Sequence, residues 1–194
     1  MIPKKTFTGR IERRLFKLCL AWSNEIAKWS IPAEDSKLRR HLLISLGLKI
    51  DNPVFIDAGF NCEYGHNISI GKFTFLRENA FLGDWEKIEI GNGNSISRNL
   101  SIFTGGHNTD NLWPKLSPVE IGNFCYIGAN VTILPGVHIG DDSIIGAGCV
   151  VNRDIPERSI VVGIPGKIIS KRNVIPDIIY TGFGLINRND FTRV

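Results

Sequence analysis

Two hydrophobic patterns divide the sequence near residue 50. Between residues 10 and 31 apolar side chains recur with the 3.6-residue period of an amphipathic helix. The apolar face consists of Ile11, Leu15, Leu18, Cys19, Trp22, Ile26 and Trp29. Pro32 cannot continue this helix, and a second helix is predicted from Asp35 to Leu46, ending at Gly47. We expect the tryptophan-bearing face to pack on the rest of the protein, and attachment to a membrane surface is the alternative.

From about residue 54 onward, apolar residues recur every six positions. The clearest run has six β-branched residues in unbroken steps, namely Ile121, Ile127, Ile133, Ile139, Ile145 and Val151. Earlier runs, separated by small insertions, are Ile56, Cys62 and Ile68; Ile70, Leu76 and Leu82; and Ile90, Ile96 and Ile102. A six-residue repeat predicts a solenoid of short strands and turns, in which three hexads close one triangular coil. Residues 18 positions apart should then stack inside, pairing Ile121 with Ile139, Ile127 with Ile145 and Ile133 with Val151.

Glycine follows four of these apolar residues, at Gly122, Gly128, Gly140 and Gly146. We expect these glycines at tight corners that require positive φ. A single coil cannot bury its apolar face alone, so the N-terminal helices are expected to close one end of the stack. The predicted organisation is a basic helical segment at 1–50, a β-helix domain at 51–170 and a tail at 171–194.

Composition places the chain among ordinary globular proteins. It has 194 residues, of which 43% are hydrophobic and 22% charged, and this excludes intrinsic disorder. Residues 1–50 carry 11 basic and 4 acidic side chains, net +7, whereas residues 51–194 carry 12 and 15, net −3. A net charge of +7 over two helices is most often a solvated face, and contact with an anionic membrane surface is the alternative. No nucleic-acid partner is expected, because no nucleic-acid motif accompanies the charge.

The cysteines and the apolar segments bear on the compartment. Cys19, Cys62, Cys125 and Cys149 form no CxxC pair, which favours a reducing, cytoplasmic compartment. The N-terminus lacks the uninterrupted apolar region of a signal peptide, and no stretch of about 18 apolar residues could span a membrane. Any membrane contact is therefore expected to be peripheral, at the inner face.

One long segment carries a family resemblance. The sequence IGNFCYIGANVTILPGVHIGDDSIIGAGCVVNRDIPERSIVVGIPGKII closely resembles the hexapeptide-repeat sugar O-acetyltransferases, which fold as left-handed parallel β-helices. Its closing portion, DIPERSIVVGIPGKII, is specific to the acyltransferases, with Gly166 in place of their usual alanine. The resemblance implies a left-handed coil, an exception to the right-handed rule for parallel crossovers. It also implies acetyl-CoA as acyl donor, a carbohydrate acceptor and a homotrimer with active sites between subunits.

The six-residue period breaks over one long segment, which predicts a projecting loop at 103–120. This loop contains His107. A neutral imidazole can take a proton from an attacking hydroxyl and return it to a leaving thiolate. In the family that the chain resembles, the catalytic histidine stands at the matching place, so the resemblance implies that His107 is the general base of direct transfer.

Upstream, RENAFLGDWEKIEIG resembles the acetyltransferase segment whose asparagine and aspartate face the acceptor. The resemblance implies that Asn79 bonds an acceptor hydroxyl or the oxyanion. It implies that Asp84 binds another hydroxyl or orients His107. Trp85 beside them could provide an apolar face for a pyranose ring. Turn formation is the alternative role for the asparagine and the aspartate.

The resemblance further implies a groove for coenzyme A. The matching positions are Tyr126, Ala129, Ala147, Asn152, Arg153, Lys167 and Lys171. Small residues let the pantetheine arm lie against the backbone, and the Ala129 amide would donate to the thioester oxygen. Arg153, Lys167 and Lys171 would bind the nucleotide phosphates, and solvent exposure alone is the alternative for these cations.

Other functions stay open from the sequence. The same scaffold could acetylate an antibiotic or an amine, or serve as a non-catalytic solenoid in an assembly. Metal-dependent hydratases like the γ carbonic anhydrases share the solenoid but need three histidines around a metal. His107 and His138 are 31 residues apart with no histidine paired to either, so no metal site is expected. The basic helices resemble those of acetyltransferases in cell-surface polysaccharide synthesis, which implies a lipid-linked sugar acceptor.

Overall fold

The computed structural model describes residues 7–29, 36–173, 175–181 and 184–191. Within them, two α-helices precede a stack of short strands: α1 spans Phe7–Trp29 and α2 spans Ser36–Ser45. Gly47 follows α2 with φ +101°, the left-handed conformation that ends many helices. Residues 30 and 31, which the sequence assigned to the first helix, lie outside the described residues.

The strands of the described chain are short, most of them two or three residues. In chain order they are β1 Lys49–Ile50, β2 Phe55–Ile56, β3 Asn61–Cys62, β4 Ile68–Ile70, β5 Phe75–Leu76, β6 Phe81–Gly83, β7 Ile88–Ile90, β8 Ser95–Ile96, β9 Ser101–Phe103, β10 Gly105–His107, β11 Pro114–Leu116, β12 Val119–Ile121, β13 Tyr126–Ile127, β14 Thr132–Ile133, β15 His138–Ile139, β16 Ile144–Ile145, β17 Val150–Val151, β18 Ser159–Val162, β19 Lys167–Lys171, β20 Ile178–Thr181 and β21 Gly184–Asn187. A 3-10 turn at Arg188–Phe191 follows.

Three parallel sheets form the faces of a triangular prism. Face A contains β1, β4, β7, β12 and β15; face B contains β2, β5, β8, β13, β16 and β18, with β19 antiparallel at its edge; face C contains β3, β6, β9, β14 and β17. The chain visits A, B and C in turn. The register pairs Ile121 with Ile139, Ile127 with Ile145 and Ile133 with Val151. The predicted mainly β solenoid with an N-terminal helical segment is confirmed.

Stacked aliphatic side chains fill the prism. The six predicted anchors from Ile121 to Val151 are at most 3% exposed. The stacked columns of side chains continue past the last six-residue step at Val151. Val161 pairs with Ile145, and Ile155 forms a bridge with Ile139. Each coil buries its inner face only against its neighbours, as expected of a solenoid.

The repeat glycines serve a purpose other than the predicted one. Gly122, Gly128, Gly140 and Gly146 are absent from the positive-φ residues of the described chain. A Cβ at Gly128 would lie 2.5 Å from the backbone nitrogen of Ala147. Close approach of successive coils, not corner geometry, therefore requires these glycines. Several corners instead place residues with side chains at positive φ, among them Phe73, Asn79, Asn99, Phe124, Asn130 and Asp142.

The prediction that the tryptophan-bearing face of α1 packs on the protein is wrong at three residues, and the side chains of Ile11, Ile26 and Trp29 lie outside those described. Leu15, Leu18 and Trp22 are 56%, 61% and 73% exposed. The helix packs through its opposite side, where Leu20 and Ser23 are buried. The physical reason is that the first turn of the solenoid presents backbone carbonyl groups that need hydrogen-bond donors.

Polar side chains of α1 supply these donors. Lys17 Nζ donates to the carbonyl of Cys62 at 2.6 Å, and Asn24 Nδ2 donates to that of Phe60 at 2.9 Å. Arg13 forms an ion pair with Glu63 on the same turn. The helices thus close the N-terminal end of the stack, as predicted, but through a mixed polar and apolar side of α1.

Arg39 of α2 ties the two helices to the solenoid. It is 4% exposed and donates to Ser23 Oγ at 3.2 Å, Asn24 Oδ1 at 3.1 Å and the carbonyl of Asp57 at 2.8 Å. Burial lowers the pKa of Arg39 to about 10, and the charge of Asp57 opposes this shift.

The described part of the C-terminal tail folds back on its own solenoid. Arg188 pairs with Asp142, and its guanidinium lies 4.1 Å from the ring centroid of Phe124. The ring of Phe191 meets those of Phe73 and Phe124 edge-on, with centroids 5.1 Å apart in each case. This tail therefore covers the corner between faces A and B.

All four cysteines are free, and three of them are buried. Burial raises the pKa of Cys62 and of Cys125 to about 12. Within the described residues, neither helix has the length and apolar character that crossing a membrane would require.

Candidate active site

The predicted projecting loop at 103–120 is an ordered hairpin. Strands β10 and β11 pair antiparallel, and His107 is opposite Pro114. The hairpin leaves the corner between faces C and A, after the third strand of its coil. Leu112 and Trp113 near its tip are each 73% exposed. The long break in the six-residue period therefore corresponds to a rigid projection.

Thr104 fixes the root of this hairpin. Its buried hydroxyl donates to the carbonyl of Gly83 and accepts from the amide of Glu86, both at 2.8 Å. Its carbonyl accepts from the amide of Ser117 at 2.9 Å, which joins the two ends of the hairpin. No role for Thr104 was predicted from the sequence. The available signal was a threonine two residues after the buried Ile102, at the point where the period breaks.

His107 lies on β10, three residues beyond this anchor. Its side chain is exposed and therefore accessible to a substrate hydroxyl. The hairpin strand passes close to Pro135, since a Cβ at Gly106 would lie 3.7 Å from the Cγ of that proline. The Thr104 anchor and the hairpin pairing give the strand of His107 a defined position, and the role of His107 as general base stays a prediction.

Trp85 lies beside the hairpin. A Cβ at Gly105 would be 3.4 Å from Cδ1 and Cγ of Trp85, so the indole lies against the first residue of β10. Its ring also meets Tyr64 edge-on at 5.5 Å, and 45% of the side chain is exposed. The structure thus brings Trp85 close to the strand of His107. Tyr64 belongs to the same aromatic surface, and no sequence pattern predicted this.

Asp84 is buried, with none of its surface open to solvent. Its carboxylate accepts from the amides of Glu63 at 2.8 Å, Tyr64 at 2.9 Å and Gly65 at 2.7 Å. The structure therefore contradicts the expectation that Asp84 faces an acceptor. The carboxylate instead fixes the turn that carries Tyr64.

Asn79 occupies a corner between faces B and C, with φ +61°. Its side chain donates to Asn99 Oδ1 at 3.2 Å, and Asn99 donates to Asn130 Oδ1 at 2.8 Å. This ladder of asparagines stabilises successive corners. Within one chain it lies across face C from the hairpin, so contact with an acceptor remains a prediction.

The predicted donor residues divide into three groups. Tyr126, Ala129 and Ala147 lie on face B and its corner with face C, one coil apart. Asn152 and Arg153 follow β17 at the corner where the hairpin emerges. Lys167 and Lys171 are exposed at the two ends of β19. Ala129 is half-buried and the other six are exposed, and binding of coenzyme A by these residues stays a prediction.

A groove also lies apart from the hairpin. It has a volume of about 440 Å³ on the outer side of face A, and its lining includes Glu89, Glu120 and His138. His138 Nδ1 is 3.2 Å from Glu120 Oε2. In the part of the chain that the structure describes, no three histidine, cysteine or acidic side chains come together as metal ligands.

Comparisons with known proteins identify the family. Residues 118–153 match the family described as bacterial transferase hexapeptide (six repeats). The YJL218W protein of Saccharomyces cerevisiae is 40% identical over 179 residues, which are 88% of this chain and 90% of that protein. Galactoside O-acetyltransferase of Escherichia coli K12 is 32% identical over 149 residues, 74% of this chain and 73% of that enzyme. The chain belongs to the hexapeptide-repeat acetyltransferases.

Solved structures place this acetyltransferase in the sugar O-acetyltransferase branch. A maltose O-acetyltransferase from Clostridium difficile 630 aligns with TM-score 0.72 and 30% identity, covering 88% of this chain and 91% of that one. A galactoside acetyltransferase in complex with coenzyme A aligns with TM-score 0.75 and 30% identity, covering 84% and 82%. A mirror-image coil would not superpose, so the acetyltransferase shares the hand of these coils. It is an O-acetyltransferase that takes acetyl-CoA as its acyl donor.

Proposed function

We propose that the acetyltransferase moves acetyl directly from acetyl-CoA to a carbohydrate hydroxyl, with His107 as general base. The observation that carries this proposal is the placement of an exposed His107 on an anchored hairpin whose first strand lies against Trp85. Acetyl-CoA supplies an activated acyl carbon with a thiolate leaving group. The hydroxyl oxygen forms the new ester bond as the carbon–sulfur bond breaks.

His107 acts first as general base and then as general acid in this transfer. The neutral imidazole accepts the hydroxyl proton as the oxygen adds to the carbonyl, and the imidazolium returns it to the departing sulfur. The Ala129 amide donates to the carbonyl oxygen as its negative charge develops. No acyl-enzyme is formed. Cys62 and Cys125 are unsuited as nucleophiles, because burial keeps the pKa of each thiol at about 12.

We further propose that the active enzyme is a homotrimer with its sites between subunits. Within one chain, face C separates the His107 hairpin from Ala129 and Ala147. A hairpin of one subunit that projects toward the donor surface of the next would bring the two sets together. The exposed Leu112 and Trp113 near the hairpin tip suit burial against a neighbour.

The proposed acceptor is a sugar of a cell-surface polysaccharide or of its lipid-linked intermediate, acetylated at the inner face of the membrane. Trp85 offers an apolar ring on which the apolar side of a pyranose can lie. The net +7 of residues 1–50 suits work next to anionic lipid. Four free cysteines are in keeping with a cytoplasmic enzyme. An antibiotic or an amine acceptor is the second candidate, since His107 could deprotonate an amine in the same position.

Calorimetric titration and thiol release test the proposal. We expect wild-type protein and the His107→Ala variant to bind acetyl-CoA equally, whereas thiol release to the active sugar falls by about 10²- to 10⁴-fold in the variant. His138→Ala is the matched control, since His138 is an exposed histidine on face A. Retention of activity within tenfold in His107→Ala would refute the general base. If wild-type protein binds no acetyl-CoA, the donor surface is wrong.

The acceptor panel should contain galactosides, maltose, lipid-linked sugars and aminoglycosides. The carbohydrate proposal predicts thiol release with sugar hydroxyls that have no amine. Faster release with the amines would instead favour the second candidate.

A further inference from the structure

Strand β10 places alternate residues on opposite sides of the hairpin. A Cβ at Gly105 would be 3.4 Å from Trp85, whereas a Cβ at Gly106 would be 3.7 Å from Pro135. Successive side chains of a strand point to opposite faces, so the side chain of His107 is directed to the same side as Gly105, which is the side of Trp85. Two residues of a strand span about 7 Å. The imidazole and the indole therefore border one space that is about as wide as a sugar ring.

A second aromatic ring extends this surface toward the N-terminal helices. The pairing of β3 with β6 puts Tyr64 one coil before Trp85. The two rings meet edge-on, with their planes at 87° and their centroids 5.5 Å apart. On the far side, the guanidinium of Arg13 in α1 lies 5.6 Å from the centroid of the Tyr64 ring. We call Trp85 and Tyr64, which form a right angle beside the hairpin, the aromatic corner.

Buried hydrogen bonds hold the backbone of the aromatic corner in one geometry. The carboxylate of Asp84 accepts from the Tyr64 amide at 2.9 Å and from the amides on either side of it at 2.8 and 2.7 Å. In the other direction, Asn67 Nδ2 donates to the Asp84 carbonyl at 2.8 Å. The turn of Tyr64 is thus tied to the residue that precedes Trp85. A surface that is ordered in advance loses little conformational entropy when it binds a ligand.

The polar atoms of this surface are available to a ligand. Among the residues that the structure describes, none forms a hydrogen bond with the Tyr64 hydroxyl, the Trp85 Nε1–H or the His107 ring. Trp85 is 45% exposed, Tyr64 is partly exposed and His107 is exposed. A pyranose has an apolar side and a rim of hydroxyl groups, which suits aromatic rings with a polar end. A purely apolar ligand would leave these polar groups without a partner, which is unfavourable once water is excluded.

We propose that Tyr64 is a specificity-determining residue of the acceptor site. The acceptor pyranose lies with its apolar side on Trp85 and its reacting hydroxyl at His107, and the Tyr64 hydroxyl bonds a second hydroxyl of the same sugar. This assignment rests on the proposed function, because it takes His107 as the base and a sugar as the acceptor. It adds the residue that distinguishes sugars by a hydroxyl other than the one that is acetylated. Acetyl-CoA makes no contact with Tyr64 in this arrangement.

Steady-state kinetics of the full-length protein test this role. Tyr64→Phe removes only the hydroxyl, and we expect the KM for a soluble sugar to rise by about five- to tenfold, as the loss of one neutral hydrogen bond predicts. Tyr64→Ala also removes the ring and should raise this KM by about 30-fold or more. In both variants kcat should stay within about twofold of wild type, because Tyr64 bonds the sugar equally before and during the reaction. The dissociation constant of acetyl-CoA should not change.

Monodeoxy analogues of the sugar that releases thiol fastest give the sharper test. One analogue, which lacks the hydroxyl that Tyr64 bonds, should lose about five- to tenfold in kcat/KM with wild-type protein. With Tyr64→Phe the same analogue should lose nothing further, because the hydrogen bond is already absent. A merely structural role of Tyr64 would instead lower activity toward every analogue by the same factor, which would overturn the assignment.

Phe191→Ala is the matched control. Phe191 is a partly buried aromatic residue at the corner between faces A and B, where its ring meets two others edge-on. We expect the control to keep the wild-type KM for the sugar, and circular dichroism should show the same fold in Tyr64→Phe. An unchanged KM in Tyr64→Phe would also overturn the assignment while His107→Ala stays inactive. Activity in His107→Ala, or no thiol release with any sugar, refutes the proposed function itself, so the two failures are distinguishable.

Discussion

Gly128 shows at the scale of single residues how closely successive coils approach each other. Its backbone amide donates to the carbonyl of Ile145 at 2.8 Å, and a Cβ would come within 2.5 Å of the Ala147 nitrogen. Gly148 differs, because nothing lies within 4 Å of its Cβ position while its φ is +71°. Two glycines of neighbouring coils are therefore required for separate reasons.

The two reasons predict different losses of unfolding free energy when alanine replaces each glycine. Gly128→Ala should lower the free energy of unfolding by about 3 kcal/mol, since the backbone of two coils must move apart. Gly148→Ala should cost about 1 kcal/mol, the strain of a left-handed residue with a Cβ. Urea unfolding of the two variants measures the difference. Equal losses would show that coil contact is not what selects glycine at Gly128.

Burial determines the role of Asp84. Asp84 has the residue type and spacing of an acceptor ligand, yet three backbone amides of the preceding coil surround its carboxylate. Asn79, with the same resemblance, is an exposed corner residue at positive φ. Residue type and spacing therefore predict which chemistry is available, and the local fold determines whether a substrate can reach it.

At the scale of elements, the hairpin depends on one buried hydroxyl. The Thr104 hydroxyl bonds the carbonyl of Gly83 and the amide of Glu86; without it the Glu86 amide would lose this partner, whereas the Gly83 carbonyl would keep the Thr104 amide at 3.2 Å. The hairpin carries His107, so a displaced root displaces the proposed base. Thr104 is a positioning residue, because it acts through the strand and not through the reacting atoms.

Thr104→Val preserves shape and removes the hydroxyl. We expect a loss of about 2 kcal/mol in unfolding free energy and a fall in kcat of about tenfold from the misplaced base. The dissociation constant of acetyl-CoA should not change. Thr104→Ser should restore kcat, and Thr109→Val, at an exposed position of the same hairpin, should leave stability unchanged. A kcat of wild-type size in Thr104→Val would contradict the positioning role.

Helix α1 shows why a pattern of apolar residues predicted the helix but not its orientation. The period of its apolar residues is helical, and the structure confirms the helix. The end of the solenoid needs hydrogen-bond donors for its carbonyl groups, which Lys17 and Asn24 provide. Because unpaired backbone groups are costly to bury, this polar requirement outweighs burial of the most apolar side.

At the scale of the whole molecule, the proposed site is incomplete in one chain. His107 projects from the corner between faces C and A, while Ala129 and Ala147 line the corner between faces B and C. A cyclic trimer places unlike surfaces of neighbouring subunits together at every interface. In the proposed trimer, catalysis therefore depends on assembly.

Mixed oligomers test this dependence. We expect His107→Ala and Ala147→Tyr to be inactive separately, the first without its base and the second with a blocked donor surface. Random mixing of the two in trimers should restore about a quarter of the wild-type activity, because one site in four would combine an intact hairpin with an intact donor surface. The measurement is thiol release after joint refolding. No restoration would place both groups in the same subunit's site.

The sequence by itself determined the solenoid, because a six-residue spacing of β-branched residues is compatible with few folds, and the register of Ile121, Ile127 and Ile133 followed from arithmetic. The position of the hairpin was equally predictable, as a break in that period. Only the tertiary structure decided that Asp84 is buried, that Leu15, Leu18 and Trp22 of α1 are exposed and that Thr104 anchors the strand of His107. These outcomes depend on which backbone groups of neighbouring coils lack a hydrogen-bond partner. A local pattern of apolar residues does not show this, because the groups are far apart in sequence.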